Sequence, residues 1–150
     1  MEGRMDIIQR IIHALTQVHP PHTLLVHFPI ALVSSALFFI ILALLWRKDV
    51  LEQVAFANIS LAAVSTIVAA IAGIRDNNYF YGGEAPNYSA KIILAIILFV
   101  ITATTALVRW RNPNLFHARS GKVLYVMAYF VSFGLVSVLG FLGGVIIYGF

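Results

Sequence analysis

Four long apolar runs, residues 24–46, 54–74, 92–108 and 123–148, are joined by short polar segments and leave this chain few ways to fold. At a rise of 1.5 Å per residue, a helix of about 20 apolar residues crosses the hydrocarbon layer of a bilayer. Inside that layer every backbone N–H and C=O needs a partner within the chain, and a helix supplies one. Of the 150 residues, 61% are hydrophobic and 11% charged, against about a quarter charged in ordinary soluble domains. That leaves no separate soluble domain. Short connections make consecutive spans antiparallel, so the expected fold is all-α: one integral membrane domain over residues 1–150, built as a four-helix transmembrane up-down bundle.

Ahead of the first run, Ile7, Ile8, Ile11, Ile12, Leu15 and Val18 share one helical face. Residues 5–18 are therefore expected to form a short amphipathic helix, lying in the membrane interface or capping the bundle end. Pro20-Pro21 ends it, because proline lacks an amide proton and disfavours helix in the residue before it. No apolar core with a small-residue cleavage site marks a removable signal. Arg47, Lys48, Arg109, Arg111, Arg119 and Lys122 flank the first and third loops, while Arg4, Arg10, Arg75 and Lys91 lie on the other side. By the positive-inside rule both termini are expected outside, with the reverse orientation as the alternative. The net charge of +4 comes from these flanks, not from a basic surface interleaved with aromatics, so nucleic acid is not an expected partner. The chain has no cysteine, which excludes disulfides, thiolate metal sites, thioether-linked haem and cysteine nucleophiles.

Small and polar residues recur at helical spacing within the spans. Asn58, Ala62, Ser65, Ala69, Ala72 and Asp76 form one seam, and Lys91, Ala95, Leu98, Thr102, Thr105 and Arg109 a second. Ser137, Gly140 and Gly144 mark a small face in the fourth span. Such faces meet protein, and Gly140-x-x-x-Gly144 permits close backbone approach. The third run is short, so Lys91 and Arg109 are expected to snorkel outward at its ends.

His27 is the only ionisable side chain well inside the first run, and such groups usually face a bundle interior or a wet cavity. Antiparallel packing brings the start of span one, the end of span two, the start of span three and the end of span four to one depth. The candidate binding residues are therefore His22, His27, Asp76, Lys91 and Tyr148, beside Gly143 and Gly144. Asp76 with Lys91 or Arg75 forms either an ion pair closing the bundle or part of a ligand or proton site. His27 is either a hydrogen-bonded structural histidine or a ligand. If the first helix starts near Thr23, Pro29 leaves the carbonyl of Leu25 without its partner; if it starts near His27, Pro29 sits harmlessly in the first turn.

No nucleophile elbow, phosphate loop or complete catalytic set is present, and no repeated halves point to a transporter. His19, His22 and His27 match no metal spacing. Two facing axial histidines for a haem are missing, which leaves a singly ligated haem, a pigment or a hydrogen-bonded quinone as candidate cofactors.

His19-Pro20, Val26-His27-Phe28-Pro29-Ile30-Ala31-Leu32, Gly73-Ile74-Arg75-Asp76 and Gly143-Gly144-Val145-Ile146-Ile147-Tyr148 resemble the bacterial four-helix membrane proteins grouped as domain of unknown function 2231. The resemblance runs from about His19 to the C-terminus. It implies a small protein of the prokaryotic inner (cytoplasmic) membrane. Members often carry a histidine near the start of the third span, where this chain has Lys91. The primary expectation is a non-enzymatic subunit or accessory protein of a larger membrane assembly, with the lipid bilayer and other membrane subunits as partners. The alternative is a redox-associated module binding haem, pigment or quinone near the outer face through His27.

Overall fold

The computed structural model describes residues 7–13 and 21–148, which are almost entirely helical. Helix α1 covers Ile7–His13, α2 Pro21–Leu25, α3 His27–Trp46, α4 Asp49–Phe80, α5 Tyr88–Arg111 and α6 Arg119–Tyr148. Four stretches, Pro21–Trp46, Asp49–Phe80, Tyr88–Arg111 and Gly121–Val145, are long and apolar enough to cross a membrane. Only α1 of the expected N-terminal helix is described; residues 5–6 and 14–18, with His19 and Pro20, lie outside the described residues. Helix α3 packs on α4, α4 on α5, α5 on α6 and α6 back on α3, closing the ring of an up-down bundle.

The helices outrun their apolar cores. Helix α4 covers Asp49–Phe80 where hydropathy alone marks 54–74. Asp49 and Glu52 in its first turn suit the positive end of the helix dipole. At the other end the helix continues through Gly73-Ile74-Arg75-Asp76 until the Tyr81 N–H bonds the Asn77 carbonyl. Gly82 and Gly83, at φ 59° and 91°, then turn the chain in a region that glycine enters without strain. The turn between α3 and α4 is only Arg47 and Lys48, with Arg47 left-handed (φ 53°) and its N–H on the Ala43 carbonyl.

Near the start of the first span Val26 separates α2 from α3. Val26 is itself right-handed helical and its N–H bonds the His22 carbonyl (2.9 Å), so of the two starts open to this span the observed one is the earlier, at Pro21, and Pro29 lies beyond the first turn, where its missing N–H leaves the Leu25 carbonyl without its helical donor.

Helices α3 and α4 pack in layers. Counting back from the Arg47–Lys48 turn places Ala43 level with Glu52, Ile40 with Ala55, Ala36 with Ile59 and Val33 with Ala62. All eight are buried, with alanine on one helix facing Ile or Val on the other in three of the four layers. The same count takes His22 to Gly73, and the His22 ring does lie against Gly73. Leu98, Tyr125, Tyr129 and Val136 join this core from α5 and α6. Large apolar side chains such as Leu61, Ile71, Ile93, Val100 and Phe141 point outward, where a lipid solvent takes them.

Hydroxyls within the spans are mostly satisfied by their own helix. Thr66 donates to the Ala62 carbonyl (2.7 Å), Thr102 to Leu98 (2.8 Å) and Thr105 to Ile101 (2.7 Å). Ser137, expected on an inward face, is exposed and donates to Phe133. Its neighbour on the inner face is Val136, one residue earlier.

Candidate functional site

The bundle axis is filled by buried side chains at the end that carries Glu52 and is open between the spans at the end that carries His22. A cavity of about 310 Å3 runs along the bundle axis at the end that carries His22, with walls from all four spans. Its floor is Leu98 and Val136, and its apolar sides include Ile30, Ala69, Ala95 and Leu139. Gly140 and Gly143 face it from α6. A Cβ on Gly140 would meet only Ile30 Cδ1 at 3.6 Å, and one on Gly143 would meet nothing within 4 Å. These glycines make room for a void; no neighbouring backbone closes on them.

Charged and imidazole groups gather at the cavity's outer end, and the deeper Thr66 hydroxyl is spent on the Ala62 carbonyl. Asp76, 3% exposed, ends the inward seam of α4. Its Oδ2 accepts the backbone N–H of His22 (2.8 Å), and its Oδ1 lies 3.5 Å from Arg75 Nη1. Of the two cations considered for Asp76, Arg75 is the one in contact. Lys91 lines the cavity, and its ammonium makes no hydrogen bond to another described residue.

His22 is fixed at three points: its backbone on Asp76, its ring against Gly73, and its Nδ1 on the Ala69 carbonyl (2.8 Å). A carbonyl oxygen only accepts, so Nδ1 is the donor, and in the neutral ring Nε2 carries the lone pair. His27 is arranged in the same way on its own helix, with Nδ1 on the Thr23 carbonyl (2.6 Å), but it is exposed. Both rings border the cavity; His22 is the better anchored.

Asn77, 4% exposed, shapes the lid. Its carbonyl accepts from Tyr81 and Gly83, and its Oδ1 accepts the N–H of Ala85 (2.9 Å). Tyr81, Ala85 and Tyr88 border the cavity from this loop. His22, His27, Asp76 and Lys91 thus all line one space, with Gly143 and Gly144. The side chain of Tyr148 lies outside the described ones.

A second polar cluster seals the solid end. Glu52, 2% exposed, takes a two-pronged ion pair from Arg109: Nε on Oε1 at 2.6 Å and Nη2 on Oε2 at 2.8 Å. Tyr125 donates to Glu52 Oε1 (2.7 Å), and its oxygen lies 2.7 Å from that of Tyr129. Arg109 does not snorkel; it turns inward because a buried carboxylate awaits it. One turn further along α6, the Ser132 hydroxyl is fully buried and without a partner.

A family model described as predicted membrane protein (DUF2231) matches residues 18–150. The chain belongs to that family. No curated protein and no solved structure matches it. In this DUF2231 protein three of the segments that carry the family resemblance border the hollow end. His27, Pro29 and Ile30, then Gly73 and Asp76, then Gly143 and Gly144 all border the cavity. Among the described residues no group of three or more His, Asp or Glu side chains is placed to hold a metal ion.

Glu52, Tyr125, Tyr129, Asn77 and Ser132 escaped the sequence reading. A signal for Glu52 was present: Glu52, Ala55, Ile59, Ala62, Thr66, Ala69, Gly73 and Asp76 step by three and four without a break. Starting the span at residue 54 removed its first member.

Proposed function

We propose that this multi-pass membrane protein is a non-enzymatic binding component that holds a small amphipathic ring of quinone type in its hollow end. The observation that carries this reading is a largely apolar cavity whose charged and imidazole groups gather at its outer end. At about 310 Å3 it falls at the lower limit of small-ligand sites, roughly 300–1,000 Å3. That suits one substituted ring with its tail among the spans, not a tetrapyrrole. Both imidazoles also come from the same short stretch, α2 and the start of α3, and the wall contributed by α6 is aliphatic and glycine. Haem and pigment therefore fit poorly. The Lys91 ammonium offers a donor for a ring carbonyl, and His22 Nε2 and the Asp76 carboxylate offer acceptors for a ring hydroxyl. The anchored His22, more than His27, is the proposed polar contact.

The test is an absorption spectrum of the purified protein followed by organic extraction. A quinone in the extract, with no Soret or pigment band, is the expected result; an extract without quinone contradicts the reading.

Assembly with other membrane proteins is a second reading. Gly134 and Ser137 leave a notch on the outer face of α6, with exposed Phe130 and Phe141 to either side. Sizing in mild detergent should then show a particle larger than one chain, and a strict monomer with no co-purifying protein counts against it. Both termini, with the hollow end, are proposed to face outward, since Arg47, Lys48, Arg111 and Lys122 crowd the solid end.

A further inference from the structure

Beside the solid end lies a hollow with a different chemistry. It has a volume of about 350 Å3 and is bounded by Ala43, Leu44 and Phe116 on its apolar side and by Arg47, Lys122, His117 and Asp49 on its polar side. Arg47 is the first residue after α3, and Lys122 belongs to the first turns of α6. The hollow therefore sits where the spans leave the hydrocarbon, at headgroup depth.

The charge at this end is unbalanced. Asp49 Oδ1 is engaged by His117 Nε2 at 3.1 Å, and Glu52 by Arg109. These are the only acids at this end among the described residues. The Asp49 carboxylate shares the hollow and keeps its charge beside a neutral imidazole, so Arg47 and Lys122 leave the lining with a surplus of one positive charge. Lys122 Nζ is held 4.5 Å from the centre of the Phe116 ring, which positions the ammonium without neutralising it. Next to it, Val123 and Leu124 are 66% and 76% exposed, a surface suited to an acyl chain.

We infer that this hollow binds the phosphodiester headgroup of an anionic membrane lipid, with Arg47 and Lys122 on the phosphate and the lipid's chains descending over Val123 and Leu124. Basic pockets between spans at the membrane surface recognise anionic headgroups in this way. A zwitterionic lipid presents the same phosphate but carries no net charge for the surplus positive charge of the lining to attract.

The test is thermal unfolding of the full chain in mild detergent, read by the fluorescence of Trp46 and Trp110, with three additions: short-chain phosphatidylglycerol, short-chain phosphatidylcholine, and inorganic phosphate. Phosphatidylglycerol should raise the midpoint by several degrees more than phosphatidylcholine, and inorganic phosphate should have little effect. The Arg47→Gln/Lys122→Gln variant should unfold at the wild-type midpoint in phosphatidylcholine and lose the extra shift. Lys48→Gln, a cation outside the hollow, should keep it. Equal shifts from both lipids, a full shift from phosphate alone, or an unchanged shift in the double variant overturns the proposal.

Discussion

At the scale of single residues, His22 and Glu52 hold the two ends of one buried seam on α4 in different ways. His22 is locked by backbone and ring to Asp76, Ala69 and Gly73, and its Nε2, without a hydrogen bond among the described residues, is the atom proposed to meet the ligand. His27 donates to its own helix from an exposed position. His22→Ala should therefore lower the amount of quinone retained on purification by tenfold or more, and His27→Ala by no more than about twofold, read as ligand per protein in the extract; a tenfold change is about 1.4 kcal/mol. Glu52 is an ion buried for structure. Arg109→Leu leaves its carboxylate uncompensated and should cost roughly 3–5 kcal/mol of stability, whereas Glu52→Leu/Arg109→Leu should recover most of that loss, because an apolar pair of similar volume avoids desolvating charge. Unfolding of the three proteins in one detergent compares them directly.

At the scale of elements, hydropathy revealed four spans and their order, but not where they end. A hydropathy window follows the lipid contact and stops at the first charges, yet Asp49, Glu52, Arg75 and Asp76 are all helical, and Glu52 and Asp76 take their partners from other helices. For the same reason Asp76 and Lys91 were legible as site candidates by depth alone, while Glu52 with Tyr125 required knowing which side chains face inward across 73 residues. The inward position of Gly140 was legible too; that it opens a cavity instead of closing a helix contact depends on the three-dimensional spacing of all four helices. The lid loop rests on one side chain. Asn77→Ala leaves the N–H of Ala85 without its acceptor and should speed amide exchange over residues 81–85 by at least tenfold, with the middle of α4 unaffected. Uniform exchange changes across the helix would contradict that role.

For the whole molecule, the division into a packed end and an open end accounts for stability and underlies the proposed function. The layered core and the Glu52 cluster carry the fold, so the hollow half can leave space unfilled that a packed interior ordinarily would not. Orientation is testable because the chain has no cysteine of its own. Asn87→Cys, in the loop at the hollow end, should react with an impermeant thiol reagent on intact cells, and Asn114→Cys, in the loop at the solid end, only after the membrane is opened. The reverse pattern would place the hollow end inside.

The most direct measurement fills the cavity. Gly140→Leu, whose side chain would project toward Ile30 and the void, should leave the unfolding midpoint within a few degrees of wild type while extractable quinone falls to background. A folded Gly140→Leu protein that retains quinone at the wild-type ratio would contradict the assignment of the hollow half as the binding site.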